Sequence, residues 1–150
     1  MAPNKKRTIR NPQKHNQYVR KLLIEILEDK FVFKGKDIQV KFVGFTARID
    51  GIIRNQCAIE VESRTPKQVK GALVDLLFHP LDKKLLILVP TKELNPIYVS
   101  PMIKQILNTY KSVNARIEIA VLCGNGNDDR ADMDKKIIIK TLKSMGISIK

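Results

Sequence analysis

Apolar residues recur along the chain with two different periods, one typical of helices and the other typical of strands. Helical spacing predicts amphipathic helices at residues 12–30, 66–78, 96–113 and 131–145. Thr65 is predicted to cap the second helix and Gly146 to end the last one. Shorter alternating or continuous apolar runs predict strands at residues 38–42, 47–53, 57–62, 84–90 and 116–122, with a candidate edge strand at residues 147–149.

The order of these elements predicts the fold class. Three early strands follow one another without a helix, which favours an antiparallel meander, whereas the later strands alternate with helices, which favours parallel crossovers. The run Lys84–Pro90 is almost entirely apolar, as expected for a strand buried on both faces. The pattern therefore predicts an α/β fold with a mixed central sheet flanked by helices. We expect one domain at residues 11–150, preceded by a flexible basic arm at residues 1–10.

The charge of the chain is an argument about its partners. Lys and Arg number 28 against 15 Asp and Glu, which gives a net charge of +13. Nucleic acid is the leading partner because Lys and Arg neutralise its phosphates. A membrane surface is less favoured, since no helix is both basic on one face and strongly apolar on the other. The basic residues before Lys21 suit either a solvated tail or an arm along a duplex.

The cysteine, histidine and hydropathy patterns argue against a disulfide or zinc site, against histidine-based catalysis and against a membrane-spanning protein. Cys57 and Cys123 both fall in apolar runs and are predicted to be reduced core thiols. His15 and His79 lack the spacing of metal ligands, so neither is interpreted as catalytic. No apolar run approaches the roughly 20 residues of a membrane helix, and we expect a cytoplasmic protein.

The predicted hairpin at residues 47–62 concentrates acidic side chains. If Ile53 pairs with Cys57 across its connection, Asp50 lies opposite Glu60. Glu62 is two residues further along the second strand and points to the same face as Glu60. Like charges placed opposite each other destabilise a sheet. Three carboxylates at one place in a basic chain therefore predict a divalent metal site.

A second acidic cluster lies at the start of the last predicted helix. Its members are Asp128, Asp129, Asp132 and Asp134. The cluster lacks the Gly and the closing Glu of a Ca²⁺-binding loop, which weakens its interpretation as a metal site. We expect Asp128 or Asp129 to cap the helix and the other two to favour its positive end.

The order αβββαβ, with an Asp on the second strand and an acidic motif on the third, resembles the PD-(D/E)XK (restriction-endonuclease-like) nuclease superfamily. The resemblance extends from about residue 12 to residue 90. Asp50 matches the Asp of the motif, and Glu60 matches its second acid. Ile49 replaces the Pro, and Glu62 stands where the family usually has Lys. The resemblance implies a restriction-endonuclease-like αβββαβ core.

The resemblance also implies a site. Asp50 and Glu60, with the backbone carbonyl of Val61, would hold Mg²⁺. Glu62 would bind a second metal ion or accept a proton from the attacking water. Arg64 is a candidate for contacting a phosphate near the start of the following helix.

Supporting residues are expected on the two neighbouring helices. A carboxylate in place of the family's Lys cannot stabilise negative charge, so a second cation or an amine from the second helix is needed, with Lys70 or Lys67 as candidates for the amine. Gln68 is an alternative that would orient a water. Glu25, or less favourably Asp29, would add a carboxylate from the first helix.

The function implied by the resemblance is Mg²⁺-dependent hydrolysis of double-stranded DNA, first as a homodimeric type II restriction endonuclease. A structure-selective nuclease, such as a Holliday junction resolvase, is the second interpretation. A non-catalytic nucleic-acid-binding protein that retains the fold is the third. The expected DNA-contacting regions are the basic arm, residues 31–36 and residues 92–104.

Overall fold

A computed structural model of the protein describes residues 12–109, 116–127 and 129–149. The predicted arm at residues 1–10 and the predicted end of the third helix at Val113 lie outside these ranges. The helices and strands in chain order are α1 (Pro12–Leu27), β1 (Phe31–Val32), β2 (Gln39–Phe42), β3 (Phe45–Arg48), β4 (Gly51–Ile53), β5 (Cys57–Glu62), α2 (Pro66–Phe78), β6 (Lys83–Leu88), α3 (Pro96–Thr109), β7 (Arg116–Val121) and α4 (Ala131–Ser144).

A mixed sheet forms the centre of the described structure, with its strands in the order β1-β4-β5-β6-β7. β1, β4 and β5 pair antiparallel, whereas β5, β6 and β7 run parallel. α2 connects β5 to β6 because parallel neighbours need a crossover that returns the chain to the same edge of the sheet. The predicted α/β class and the parallel crossovers after the hairpin are therefore confirmed.

Helices cover both faces of the sheet. On one face, α1 and α4 contribute Leu22 and Ile138 to a buried apolar cluster. On the other face, α2 and α3 contribute Leu73 and Ile103 to a second cluster. Side chains of β6 point alternately into the two clusters, and each residue from Leu85 to Leu88 is fully buried. Burial on both faces is the reason for the continuous apolar run of this strand.

Two of the early strands do not join the central sheet, since β2 and β3 pair with each other as a separate two-stranded ribbon. The place beside β4 is taken by β1, in which Phe31 pairs with Ile53. The predicted single meander, and the prediction that residues 31–35 are only a connection, are wrong. The Phe31 ring packs directly over Gly51, where an added Cβ would lie 2.4 Å from the ring. This close approach lets a two-residue strand occupy the edge of the sheet.

The last helix ends in a turn that returns the chain to the core. Gly146 has a φ of 75°, a left-handed conformation that glycine adopts at low cost. Its N–H donates to the carbonyl of Lys143 at 3.0 Å, and the N–H of Ile147 donates to the carbonyl of Leu142 at 3.1 Å. These two bonds form a Schellman motif. Ile147 is buried, and residues 147–149 form no strand, so the candidate edge strand is wrong.

The cysteines and the second histidine have structural positions. Cys57 is buried as predicted, whereas Cys123 is exposed because it follows the end of β7, beyond the apolar clusters. The prediction of a core thiol at Cys123 is therefore wrong. The ring of His79 is buried, where its Nε2 lies 2.8 Å from the carbonyl of Asp37 and its Nδ1 accepts a hydrogen bond from the N–H of Leu81. His79 therefore joins the end of α2 to the turn before β2.

Candidate functional site

Asp50 and Glu60 form a carboxyl pair at one end of the β4–β5 hairpin. Ile53 pairs with Cys57 as predicted, and continuing this register places Asp50, immediately before β4, opposite Glu60. The N–H of Asp50 donates to Oε1 of Glu60 at 2.9 Å. The N–H of Val61 donates to Oδ2 of Asp50 at 2.6 Å. Each carboxyl group is therefore held in place by a backbone amide of the facing strand.

Glu60 is buried and Asp50 is half-buried, and burial is the largest influence on both pKa values. Burial, followed by the negative charge of Asp50 and a hydrogen bond to it, raises the pKa of Glu60 to about 10. Burial also raises the pKa of Asp50, against the opposing effects of hydrogen bonds and of the cations Arg20 and Arg64. The raised pKa of Glu60 favours the protonated form of its carboxyl group.

Asp75 is an acidic neighbour that the sequence interpretation missed. It lies half-buried on α2, where burial and then the charge of Asp50 raise its pKa. Its own charge helps to raise the pKa of Glu60. Asp75 therefore adds to the negative potential around the pair from the α2 side of the sheet.

The free energy of unfolding is expected to fall as the pH rises from about 5 to about 9. Because the pKa of Glu60 is raised, the folded protein holds a proton that the unfolded chain releases. The resulting stabilisation is fully present below the ordinary value of 4.5 and is lost as the pH approaches about 10. Urea denaturation with a chelator at about pH 5 and about pH 9 measures the difference. The Glu60→Gln variant should reduce this difference, whereas the control Glu118→Gln should leave it in place.

Glu62 lies on the same buried face but contacts a different partner. Its Oε1 accepts from Nε of Arg64 at 2.9 Å and lies 2.8 Å from Nη2. Its Oε2 accepts from the N–H of Ser63 at 3.2 Å. Within the described residues, no group of three or more acidic, histidine or cysteine side chains is arranged to hold a metal ion. The structure thus brings two of the three predicted carboxylates together and pairs the third with Arg64.

Within the described structure, the candidate residues on the two helices make no hydrogen bond or ion pair with Asp50 or Glu60. Glu25 on α1 forms an ion pair with Lys135 of α4, which lowers the pKa of Glu25. Lys70 and Lys67 lie on the exposed side of α2. Asp29 lies near Ile149, beyond the end of α1. Gln68 contacts the hydroxyl of Thr65 at the start of α2.

A narrow cavity opens beside Asp50 on the α1 side of the sheet. Its lining side chains are Asn16, Arg20, Leu23, Phe31, Asp50 and Val61. The guanidinium carbon of Arg20 lies 4.6 Å from the centre of the Phe33 ring, a cation–π contact. Asn16, Arg20 and Leu23 follow helical spacing, and this shared face is the sequence signal that could have identified them.

The carboxyl pair fits a hard divalent cation. Mg²⁺ prefers oxygen ligands and is commonly held by one or two carboxylates, with waters and substrate phosphates completing its shell. Asp50 and Glu60 provide these carboxylates side by side, and the negative charge of Asp50 helps to raise the pKa of Glu60, so a positive charge beside the pair would offset this repulsion. The N–H of Val61 donates to Asp50, and ligation of a metal ion by the Val61 carbonyl stays a prediction.

Asp134, a member of the rival acidic cluster, has a structural role. Asp134 is fully buried and accepts hydrogen bonds from the hydroxyl of Tyr18 at 2.6 Å and from the N–H of Cys123 at 2.7 Å. The residue at the N-cap of α4 is Arg130, so the predicted cap at Asp129 is wrong. Asp128 lies outside the described residues. Asp134 therefore anchors the loop after β7 to α1.

The described geometry establishes an α/β fold with a carboxyl pair at the end of a hairpin. Within the described residues, no helix is long and apolar enough to cross a membrane. Comparison with protein-family models, curated proteins and solved structures found no match to this chain.

Proposed function

We propose that the protein is a Mg²⁺-dependent endonuclease that hydrolyses phosphodiester bonds of double-stranded DNA, acting as a homodimeric type II restriction endonuclease with a restriction-endonuclease-like core. The observation that carries this proposal is the pair formed by the half-buried Asp50 and the buried Glu60, each fixed by a backbone amide. A pair of buried carboxyl groups is costly unless it binds something positive. The net charge of +13 makes a polyanion the favoured substrate.

The chain's own residues have distinct tasks in this mechanism. Asp50 and Glu60 would hold Mg²⁺, which supplies charge neutralisation at the phosphate and a more acidic bound water. The N–H groups of Asp50 and Val61 keep the two carboxylates in the required orientation. Arg20 and Arg64 place positive charge near Asp50, where it can attract the DNA backbone.

A structure-selective nuclease, such as a Holliday junction resolvase, is the second proposal, and the β2–β3 ribbon favours it. This ribbon is separate from the central sheet and exposes Val43 at its turn and Phe45 beside it. The rings of Phe42 and Phe45 stack with centroids 5.0 Å apart. Exposed apolar and aromatic side chains suit contact with unstacked bases at a branch point.

Incubation with plasmid and with a four-way junction in Mg²⁺, followed by sequencing of the ends, tests both proposals. Discrete plasmid fragments with a common end sequence support a restriction enzyme, whereas cleavage confined to the junction supports a structure-selective nuclease. Cleavage must disappear in the Asp50→Ala and Glu60→Ala variants. If neither substrate is cut and both are bound, the protein is a non-catalytic nucleic-acid-binding protein.

A further inference from the structure

Arg64 is held in a fixed orientation beside the carboxyl pair. Its guanidinium binds the buried carboxylate of Glu62 through Nε at 2.9 Å and Nη2 at 2.8 Å. The Glu62 side chain is 4% exposed, whereas that of Arg64 is 52% exposed. A buried anion thus orients a cation whose other edge faces solvent. A guanidinium carries five N–H donors, so this ion pair leaves donors for a second acceptor.

The charge of Arg64 acts on both members of the pair. Its pKa is raised first by the hydrogen bond to Glu62 and further by the charges of Glu62, Asp50 and Glu60. Arg64 follows β5 directly and precedes α2, so the fold brings it to the end of the hairpin where the pair lies. A cation at this position can stabilise negative charge that develops on a bound phosphate.

Arg20 provides a second cation on the other side of Asp50. It reaches Asp50 from α1, lines the same cavity and lowers the pKa of that carboxyl group. Its guanidinium carbon lies 4.6 Å from the centre of the Phe33 ring, a cation–π contact that restricts where the side chain can lie. Two arginines from different elements therefore lie near the carboxyl pair, an arrangement suited to binding a phosphate.

We propose that Arg64 binds the scissile phosphate in place of the missing Lys, and that Glu62 is a positioning residue that holds Arg64. This inference rests on the proposed nuclease function. In the hydrolysis, a water oxygen bonds to phosphorus and the bond from phosphorus to the leaving sugar oxygen breaks. The water loses a proton to solvent, and the leaving oxygen gains one. Arg64 donates hydrogen bonds to the non-bridging oxygens and transfers no proton.

A double-mutant cycle on kcat tests the proposed relation between the two residues. Arg64→Ala should lower kcat at least about 100-fold, the usual cost of removing one donor to a developing oxyanion. Glu62→Gln should lower kcat by about tenfold, as expected for an outer-shell partner. The double variant should be no slower than Arg64→Ala alone. A further loss in the double variant would show that Glu62 acts directly, as a base or a metal ligand, and would overturn the proposal.

Relocation of the charge provides a second test. Glu62→Lys combined with Arg64→Ala places an amine where the family usually has one, and it should recover at least about tenfold in kcat over Arg64→Ala. No recovery in a variant that unfolds at the same urea concentration as the parent would overturn the proposal. Arg54→Ala, which removes an exposed arginine at the opposite end of the hairpin, is the matched control and should leave kcat unchanged.

Binding of duplex DNA without metal separates failure of this inference from failure of the proposed function. If the parent cuts no DNA, the nuclease proposal fails, and the phosphate contact is tested by affinity alone. Arg64→Ala should then reduce the slope of log affinity against log salt by about one. An unchanged slope would overturn the assignment of Arg64 as a phosphate ligand.

Discussion

Asp50→Asn is expected to slow the proposed Mg²⁺-dependent cleavage by about three orders of magnitude, because it removes one of the two charges proposed to hold the metal ion. The fold should persist. An Asn side-chain oxygen can still accept the hydrogen bond that Val61 donates to Oδ2 at 2.6 Å, and the N–H of Asp50 still donates to Glu60. Single-turnover cleavage of a labelled duplex, across a range of Mg²⁺ concentrations, measures the effect.

Asp75→Asn is the matched control for this prediction. It removes a nearby negative charge of the same type, on α2, that raises the pKa of Glu60 from a distance. We expect it to change the rate by less than about tenfold, equivalent to about 1.4 kcal/mol. Equal rates for the parent and Asp50→Asn would contradict the assignment of the pair. A loss in Asp75→Asn as large as that in Asp50→Asn would indicate that the metal site lies further toward α2.

The elements of the fold that could be predicted from the sequence are those whose residues follow a local or repeating pattern. Because β6 is buried on both faces, its residues form an almost continuous apolar run. Thr65 followed by Pro66 marks the start of α2. β1 carries no such signal. It has only two residues, and its position depends on the contact of Phe31 with Gly51, which are far apart in sequence. β1 takes the edge beside β4, and β2 and β3 pair with each other as a separate ribbon.

The candidate site shows the same division between local and distant signals. The facing of Asp50 and Glu60 was predictable because a short connection sets the register of a hairpin. The positions of Arg20 and Asp75 depend on how α1 and α2 pack against the sheet, which spacing alone does not encode. Glu25 satisfies the helical spacing expected of a site residue, yet its partner is Lys135 on α4. Charged residues on a helix therefore need tertiary contacts before a role can be assigned.

Asp134→Ala is expected to lower the free energy of unfolding by about 3–5 kcal/mol, since buried donors that lose an acceptor cost roughly 1–3 kcal/mol each. The carboxylate is fully buried and accepts from the N–H of Cys123 at 2.7 Å and from that of Gly124 at 3.1 Å. It also accepts from the hydroxyl of Tyr18 at 2.6 Å. Alanine removes one acceptor that joins α1, α4 and the loop after β7. Urea denaturation monitored by circular dichroism measures the loss.

Two further variants separate a structural Asp134 from the rival metal site. Tyr18→Phe removes one of the donors and should cost about 1–2 kcal/mol, whereas Asp134→Asn keeps an oxygen for the two amides and should cost less than Asp134→Ala. A metal site would behave differently, since a chelator would lower the melting temperature of the parent but not that of Asp134→Ala. α1 also carries Arg20, which lines the cavity beside Asp50. If loss of the Tyr18 hydrogen bond displaces α1, the proposed cleavage should slow as well.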